Sequence, residues 1–268
     1  MALGNSRNEL VSEILEEARQ LANNQVKEII LTGVNIGDFG KSTGESFLDL
    51  IQGLEQVDGI ERYRISSIEP NLLNQDIIGA VAESHKFLPH FHIPLQSGCD
   101  EILGLMRRRY KTPLFRDKIA TIRRMIPEAF IGVDLIVGFP GEDEERFAKT
   151  FEFLQKLDVS YYHAFSFSPR PNTPAWDMKQ QVPQHIIKER SHQVQQLAEK
   201  KKHAFYAAHL DQTRPVLFEG SEKDGKSFGF TDNYIRVETE TSESLQGRIR
   251  QVRLNEMNDR GNIEGRIV

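Results

Sequence analysis

One cysteine, Cys99, and one tryptophan, Trp176, occur among 268 residues. A single thiol excludes a disulfide framework and cannot supply the several thiolates that an iron–sulfur cluster takes. No apolar run approaches the ~20 residues needed to span a membrane as a helix. The first residues, Met1-Ala2-Leu3-Gly4-Asn5-Ser6-Arg7, lack a basic stretch leading into an apolar core. No secretory leader is therefore expected, and the cytoplasm is the expected compartment. Basic charge is not in excess either: 34 Lys and Arg face 39 Asp and Glu, a net charge of −5. That is unlike the basic footprint of a protein that coats nucleic acid, so any RNA contact falls to local clusters such as Arg107 to Lys111 or Lys200 to His203. Walker, HExxH and GxSxG motifs are all missing.

What remains is an alternation of short apolar runs and helical periodicities. Val11, Ile14, Leu15, Ala18 and Leu21 recur at helical spacing, and Lys27 to Gly33 then reads as a buried strand ending at a glycine. Further strands are predicted at Tyr63 to Ile68, at Phe91 to Leu95 with Pro94 ending it, at Ile131 to Val137 and at Tyr161 to Phe167. Helices are expected near Phe47 to Val57, Asp76 to Ser84, Glu101 to Arg108, Leu114 to Met125 and Glu142 to Leu157. Repeated βα units of this kind form a parallel sheet covered by helices. Five strands with a helix in front suggest a barrel lacking its first strand. A proline-rich bend, Pro169 to Pro174, leads into a long charged helix over Pro183 to Leu210. Beyond Gln212 come five short strand patterns: Val216 to Glu219, Ser227 to Phe230, Tyr234 to Val237, Leu245 to Arg248 and Gly261 to Gly265. Gly220 to Gly225 and Thr231 to Asn233 are the turns among them. A small antiparallel β-barrel is expected there. The division is thus residues 1–211 and residues 212–268.

Polar groups follow the strands. Gly33 and Asn35 close the first, and Ser67 and Glu69 follow the second. Gln96 and Ser97 follow the third. In a βα barrel those are the strand ends where sites form. Asp134 lies inside an apolar strand and needs a partner or a solvated lumen. His90 and His92 share a strand face, but with no third ligand evident they read as satisfied strand histidines. Glu142, Asp143, Glu144 and Glu145 suit a helix N-terminus. Arg108 and Arg109 can pair with a carboxylate or with RNA phosphate. Cys99 reads as a buried thiol, and no metal ligand set is expected.

Three strings carry a family resemblance: Thr32-Gly33-Val34-Asn35-Ile36-Gly37, Pro94-Leu95-Gln96-Ser97-Gly98-Cys99-Asp100, and Asp134-Leu135-Ile136-Val137-Gly138-Phe139-Pro140-Gly141-Glu142. Together with Pro169 to Ala175 and Lys188-Glu189-Arg190-Ser191, they resemble the radical-SAM methylthiotransferases, the MiaB, MtaB and RimO group. Gly229-Phe230-Thr231-Asp232-Asn233-Tyr234 is similar to a TRAM domain, a module associated with RNA binding. Within the group the strings look most like MtaB-type enzymes.

The resemblance implies an α/β fold, a partial radical-SAM (β/α) barrel followed by a TRAM-like barrel. It implies S-adenosyl-L-methionine and two 4Fe-4S clusters in the full-length family, with no cluster expected in this chain because the CxxxCxxC loop is missing. Cofactor contacts are implied at Gly33, Asn35, Ser67, Glu69, Gln96, Arg108, Asp134, Val137, Gly138 and Phe139. RNA contacts are implied at Arg109, Lys111, Arg170, Phe230, Asn233 and Tyr234. The implied reaction installs a methylthio group at C2 of N6-threonylcarbamoyladenosine beside the anticodon, with the tRNA anticodon stem-loop as partner. It also implies a chain that begins just after the third cluster cysteine, is inactive alone, and self-associates through an exposed barrel edge. Three alternatives stay open: a RimO-type enzyme acting on a ribosomal protein, a non-catalytic RNA-binding scaffold, and a cluster-free lyase or hydrolase using Glu69 and Asp134.

Overall fold

A computed structural model describes residues 9–33, 35–219, 225–241 and 243–268. The expected turn at Gly220 to Gly225 lies almost wholly outside these residues, as does Asn5 to Asn8. The chain forms two compact units.

The first unit comprises residues up to Ile68, Leu72–Phe91 and Tyr206–Val268. Its opening helix α1 (Val11–Asn23) packs on α2 (Phe47–Glu55), where Leu15 sits against Gly53. Ser46 and Asp49 form a reciprocal capping box at the start of α2, each side chain accepting the other's backbone N–H. Strand β1 (Glu28–Leu31) pairs in parallel with β2 (Arg62–Ile65), and Tyr63 of β2 bonds onward to Lys86 and Leu88. Helix α3 (Gln75–Glu83), capped by Asn74, lies in sequence between β2 and Lys86. Among the described residues β1 has no partner on its other edge, and Ile30 there is 54% exposed.

The same unit holds a closed five-stranded barrel: β6 (Thr213–Phe218), β7 (Lys226–Thr231), β8 (Arg236–Glu240), β9 (Ile249–Met257) and β10 (Ile263–Ile267). Val216, Phe218, Val237, Val252, Leu254 and Ile263 fill its interior. Two sequence expectations need correction. Closure comes through a parallel β10–β8 pair, so the barrel is not purely antiparallel. Leu245 to Arg248 is a turn, not a strand, with Gly247 in the left-handed region at φ 68°, and the strand follows it.

The second unit comprises Glu69–Asn71 and His92–Phe205. Its sheet runs β3 (His90–Gln96), β4 (Phe130–Val137) and β5 (Tyr161–Ser166), with helices α4 (Asp100–Leu105), α5 (Thr112–Met125), α6 (Glu144–Lys156) and α7 (Gln184–Ala207). Pro94 lies inside β3 and does not end it, contrary to expectation. Side chains alternate across a sheet. Ile93, Leu95, Ile131, Val133, Leu135 and Tyr162 are buried on one face. The intervening positions, from His92 to Gln96, Gly132 to Ile136 and Tyr161 to Phe165, occupy the opposite face. All-parallel sheets normally cover both faces with apolar residues. This face instead carries two histidines, an aspartate and a glutamine.

Candidate functional site on the polar face of the sheet

Asp134 and His163 stand opposite each other in the β4–β5 register. His92 reaches across from β3, and its Nε2 lies 2.7 Å from Asp134 Oδ1. The partner that an aspartate in an apolar strand requires is therefore His92, one of the two histidines that the sequence left as ordinary strand residues. The rings of His92 and His163 stack at 5.1 Å and 24°. They converge over Gly132, where an added Cβ would lie 3.5 Å from His92 Nδ1 and 3.7 Å from His163 Nε2. Tyr161 meets His163 edge-on at 4.7 Å. Burial, with His92 adding to it, lowers the His163 pKa despite Asp134 nearby.

A second polar group in this unit joins Glu69 to Arg108 at 3.4 Å, both partly exposed. Arg108 Nε and Asn71 Oδ1 are buried without partners among the described residues. Buried orphans of this kind are rare unless a ligand or water meets them, so these residues fit a small polar ligand. Tyr110, buried nearby, donates to the carbonyls of Pro94 and Leu95 and holds the end of β3 in place. At that end Gln96 adopts φ 69°, a left-handed backbone that costs a non-glycine residue about 1–2 kcal/mol. Strain at such a position is concentrated at ligand sites in folded proteins.

The Val137-Gly138-Phe139 segment is packed inward. Gly138 has φ 82°, and a Cβ there would stand 2.3 Å from Ile187 of α7. Its N–H donates to Glu142 Oε1 at 2.9 Å. Glu142 accepts from Arg190 at 3.1 Å as well, and both side chains are buried. The expected role of Glu142 as an acid serving the helix dipole is thereby corrected. It precedes α6, whose cap is Asp143, and burial raises its pKa against the pull of Gly138 and Arg190.

Arg109, Lys111 and Arg170 are exposed. In the first unit Asn35 donates to Asp38 at 2.5 Å while its Oδ1 is buried without a partner among the described residues. Gly33 is exposed and Ser67 half-buried. Phe230, Asn233 and Tyr234, expected as RNA contacts, take part in packing. Phe230 stacks on Tyr234 at 4.7 Å, and Arg64 and His90 close on the Tyr234 ring at 4.8 and 4.5 Å. Asn233 is fully buried, its Oδ1 accepting from Thr231. Arg62 donates to the carbonyl oxygens of Pro215 at 2.7 Å and Phe230 at 3.4 Å, and Arg64 to that of Asp232 at 3.4 Å. Glu28 balances both guanidinium groups. The sequence missed these arginines, whose carbonyl acceptors lie more than 150 positions away.

Cys99 is buried and donates to Glu101 at 3.0 Å, and burial, with that bond, raises its pKa. One such thiol does not fit the donor set of an iron–sulfur cluster. Among the described residues no group of three His, Cys, Asp or Glu side chains is disposed to hold a metal ion. No helix among them is long and apolar enough to cross a membrane.

Residues 1–154 match the family model described as the radical SAM superfamily. Over 90% of this chain and 55% of the relative, it is 33% identical to the threonylcarbamoyladenosine tRNA methylthiotransferase MtaB of Bacillus subtilis. It is 35% identical to the MtaB of Thermotoga maritima over 94% of this chain and 57% of the relative. It is 36% identical to a tRNA-2-methylthio-N(6)-dimethylallyladenosine synthase of Acetivibrio thermocellus over 99% of this chain and 56% of the relative. The chain thus spans a little over half the length of these relatives. Coproporphyrinogen III oxidase (HemN) of Escherichia coli superposes with a TM-score of 0.57 at 11% identity, over 91% of this chain and 60% of that one. By sequence and by fold, this chain belongs to the radical SAM superfamily, and its relatives over most of its length are tRNA methylthiotransferases.

Proposed function

We propose that this chain is part of a tRNA methylthiotransferase that adds a methylthio group at C2 of N6-threonylcarbamoyladenosine next to the anticodon. The polar sheet face, with its paired Asp134 and His92, carries the proposal, in a chain whose relatives are named for tRNA methylthiolation. S-adenosylmethionine, when bound, supplies the radical chemistry for which the superfamily is named. Arg108 would hold its carboxylate and Glu69 its ammonium or ribose hydroxyls, using the unpartnered Nε of Arg108. Gln96 would add a polar contact at the end of β3. Arg109, Lys111 and Arg170 would meet phosphates of the anticodon stem-loop, as exposed cations do on RNA. With one thiol the chain ligates no cluster of its own, and alone it does not turn over.

Calorimetric titration tests this. S-adenosylmethionine should bind weakly, and Arg108→Ala should remove that binding. An anticodon stem-loop carrying N6-threonylcarbamoyladenosine should bind at least tenfold more tightly than the same loop carrying the dimethylallyl modification. Equal affinity for both loops would overturn the substrate assignment. Silence with every loop, or methylthiolation by this chain alone, would overturn the functional assignment itself.

A further inference from the structure

A cavity of about 350 Å³ lies within the second unit, between the loop after β4 and the start of α7. Its walls are tied to each other. The Gly141 N–H donates to the carbonyl of Gln180 at 2.8 Å, and Arg146 Nη1 donates to the carbonyl of Gly141 at 2.7 Å. A cavity of that size, preformed and walled by apolar and polar groups together, suits a small molecule.

Three features of the lining specify the ligand. The first is Arg190, whose side chain is only 7% exposed. Of the five N–H groups of its guanidinium, three are engaged: by the Glu142 carbonyl at 2.8 Å, by Glu142 Oε1 at 3.1 Å and by Glu144 Oε2 at 3.1 Å. Its Nε is buried without a partner among the described residues. The Nε–Nη2 edge is a fork able to grip a carboxylate through two parallel bonds. Here Glu144, 88% exposed, takes only the Nη2 half of it. A ligand carboxylate would displace that exposed arm and also satisfy the orphaned donor. The second feature is Asp143, whose two oxygens each accept one bond from Arg146 and keep lone pairs for a further donor. The third is an apolar wall of Val182, Pro183 and Ile186. Charge decides between a simple anion and a zwitterion. Two guanidinium groups already stand among the carboxylates of Glu142, Asp143 and Glu144, so a bare anion would deepen a negative excess and a zwitterion would not.

We propose that this cavity binds a free aliphatic α-amino acid, with Arg190 gripping its carboxylate, Asp143 its ammonium, and Val182, Pro183 and Ile186 covering its side chain. The site stands on the cavity and does not depend on the tRNA assignment. S-adenosylmethionine carries the same ammonium and carboxylate, so the test separates this cavity from the cofactor place proposed at Arg108.

Calorimetric titration of the full chain with four probes tests it. They are L-leucine, 4-methylpentanoate without the ammonium, L-leucinamide without the carboxylate, and glycine without the side chain. L-leucine should bind, and each of the other three should bind about tenfold more weakly or worse, as loss of a charged hydrogen bond or of apolar burial requires. Glu144→Gln weakens the arm that competes for Arg190 and should tighten L-leucine about threefold. Asp143→Asn keeps a residue able to cap α6 and should weaken L-leucine about threefold or more. Both positions are more than half exposed, at 57% and 88%, so both variants should keep the fold. Arg108→Ala should leave the L-leucine affinity as it was. Failure of L-leucine to bind, equal affinity for L-leucinamide, or loss of L-leucine binding in Arg108→Ala would overturn the amino-acid site. L-leucine binding that neither Glu144→Gln nor Asp143→Asn alters would put the ligand elsewhere and overturn it as well.

Discussion

Gln96, Arg107 and Tyr234 all hold left-handed backbone without being glycine. Gln96 ends β3 on the polar face, and its strain offers a direct measurement. Gln96→Gly should raise stability by about 1 kcal/mol, because glycine carries no penalty at φ 69°. It should also weaken S-adenosylmethionine binding several-fold. A variant that is destabilised and binds normally would remove Gln96 from the site. His163 gives a pH signature. Its folded pKa lies below the ordinary value of 6.5, so the unfolded chain binds the proton more readily. Stability should therefore fall as pH drops below about 6.5 and level off below the lowered folded value. His163→Gln should flatten that part of the urea-midpoint profile between pH 7 and 5, whereas an unchanged slope would mean that other groups carry it. Asp134 was legible in the sequence as a residue in need of a partner. His92 and His163 were not, because which strand neighbours meet depends on sheet register, and no single strand reveals it.

At the level of elements, α7 is tied to the loop after β4 by one buried ion pair. Arg190 bonds Glu142, Glu142 bonds the Gly138 N–H, and Ile187 fills the space above Gly138. Arg190→Ala leaves a buried carboxylate alone and should cost about 3–5 kcal/mol in urea denaturation. The double change Arg190→Met with Glu142→Gln should cost markedly less, since no uncompensated charge remains. Equal losses in the two variants would show that packing, not charge, holds α7 there. Most elements were readable from periodicity alone, such as α2 from Phe47, Leu50, Ile51 and Leu54 on one face. Strand β9 was not, because only Val252 and Leu254 of its nine residues are wholly buried. A strand with so few buried positions leaves little apolar alternation to find.

For the whole molecule, the barrel and the β1–β2 pair belong to one compact unit although most of the second unit separates them in sequence. Arg62 is the joint: its guanidinium is buried, burial lowers its pKa, and it serves carbonyl oxygens from β6 and β7. Arg62→Met strips those oxygens of their donor and should cost about 2–4 kcal/mol. Hydrogen exchange should show the loss first at the amides of β6 and β7, and uniform exchange across the unit would contradict such a joint. The resemblance in sequence pointed to Phe230 and Tyr234 as RNA contacts, and a motif string cannot show that Arg64 and His90 already lie against the Tyr234 ring.

The bond from Arg62 to the carbonyl of Pro215 spans 153 positions, and those from Arg62 to Phe230 and from Arg64 to Asp232 each span 168. A ribosome adding ~5–20 residues per second needs roughly 8–30 s to cover the shorter distance. Throughout that interval the nascent chain displays two arginines and Glu28 on a half-finished sheet whose cover has not yet been made. This unit is thus completed only after the second unit and the barrel strands have been made, so its β1–β2 pair is the part that waits longest for its cover.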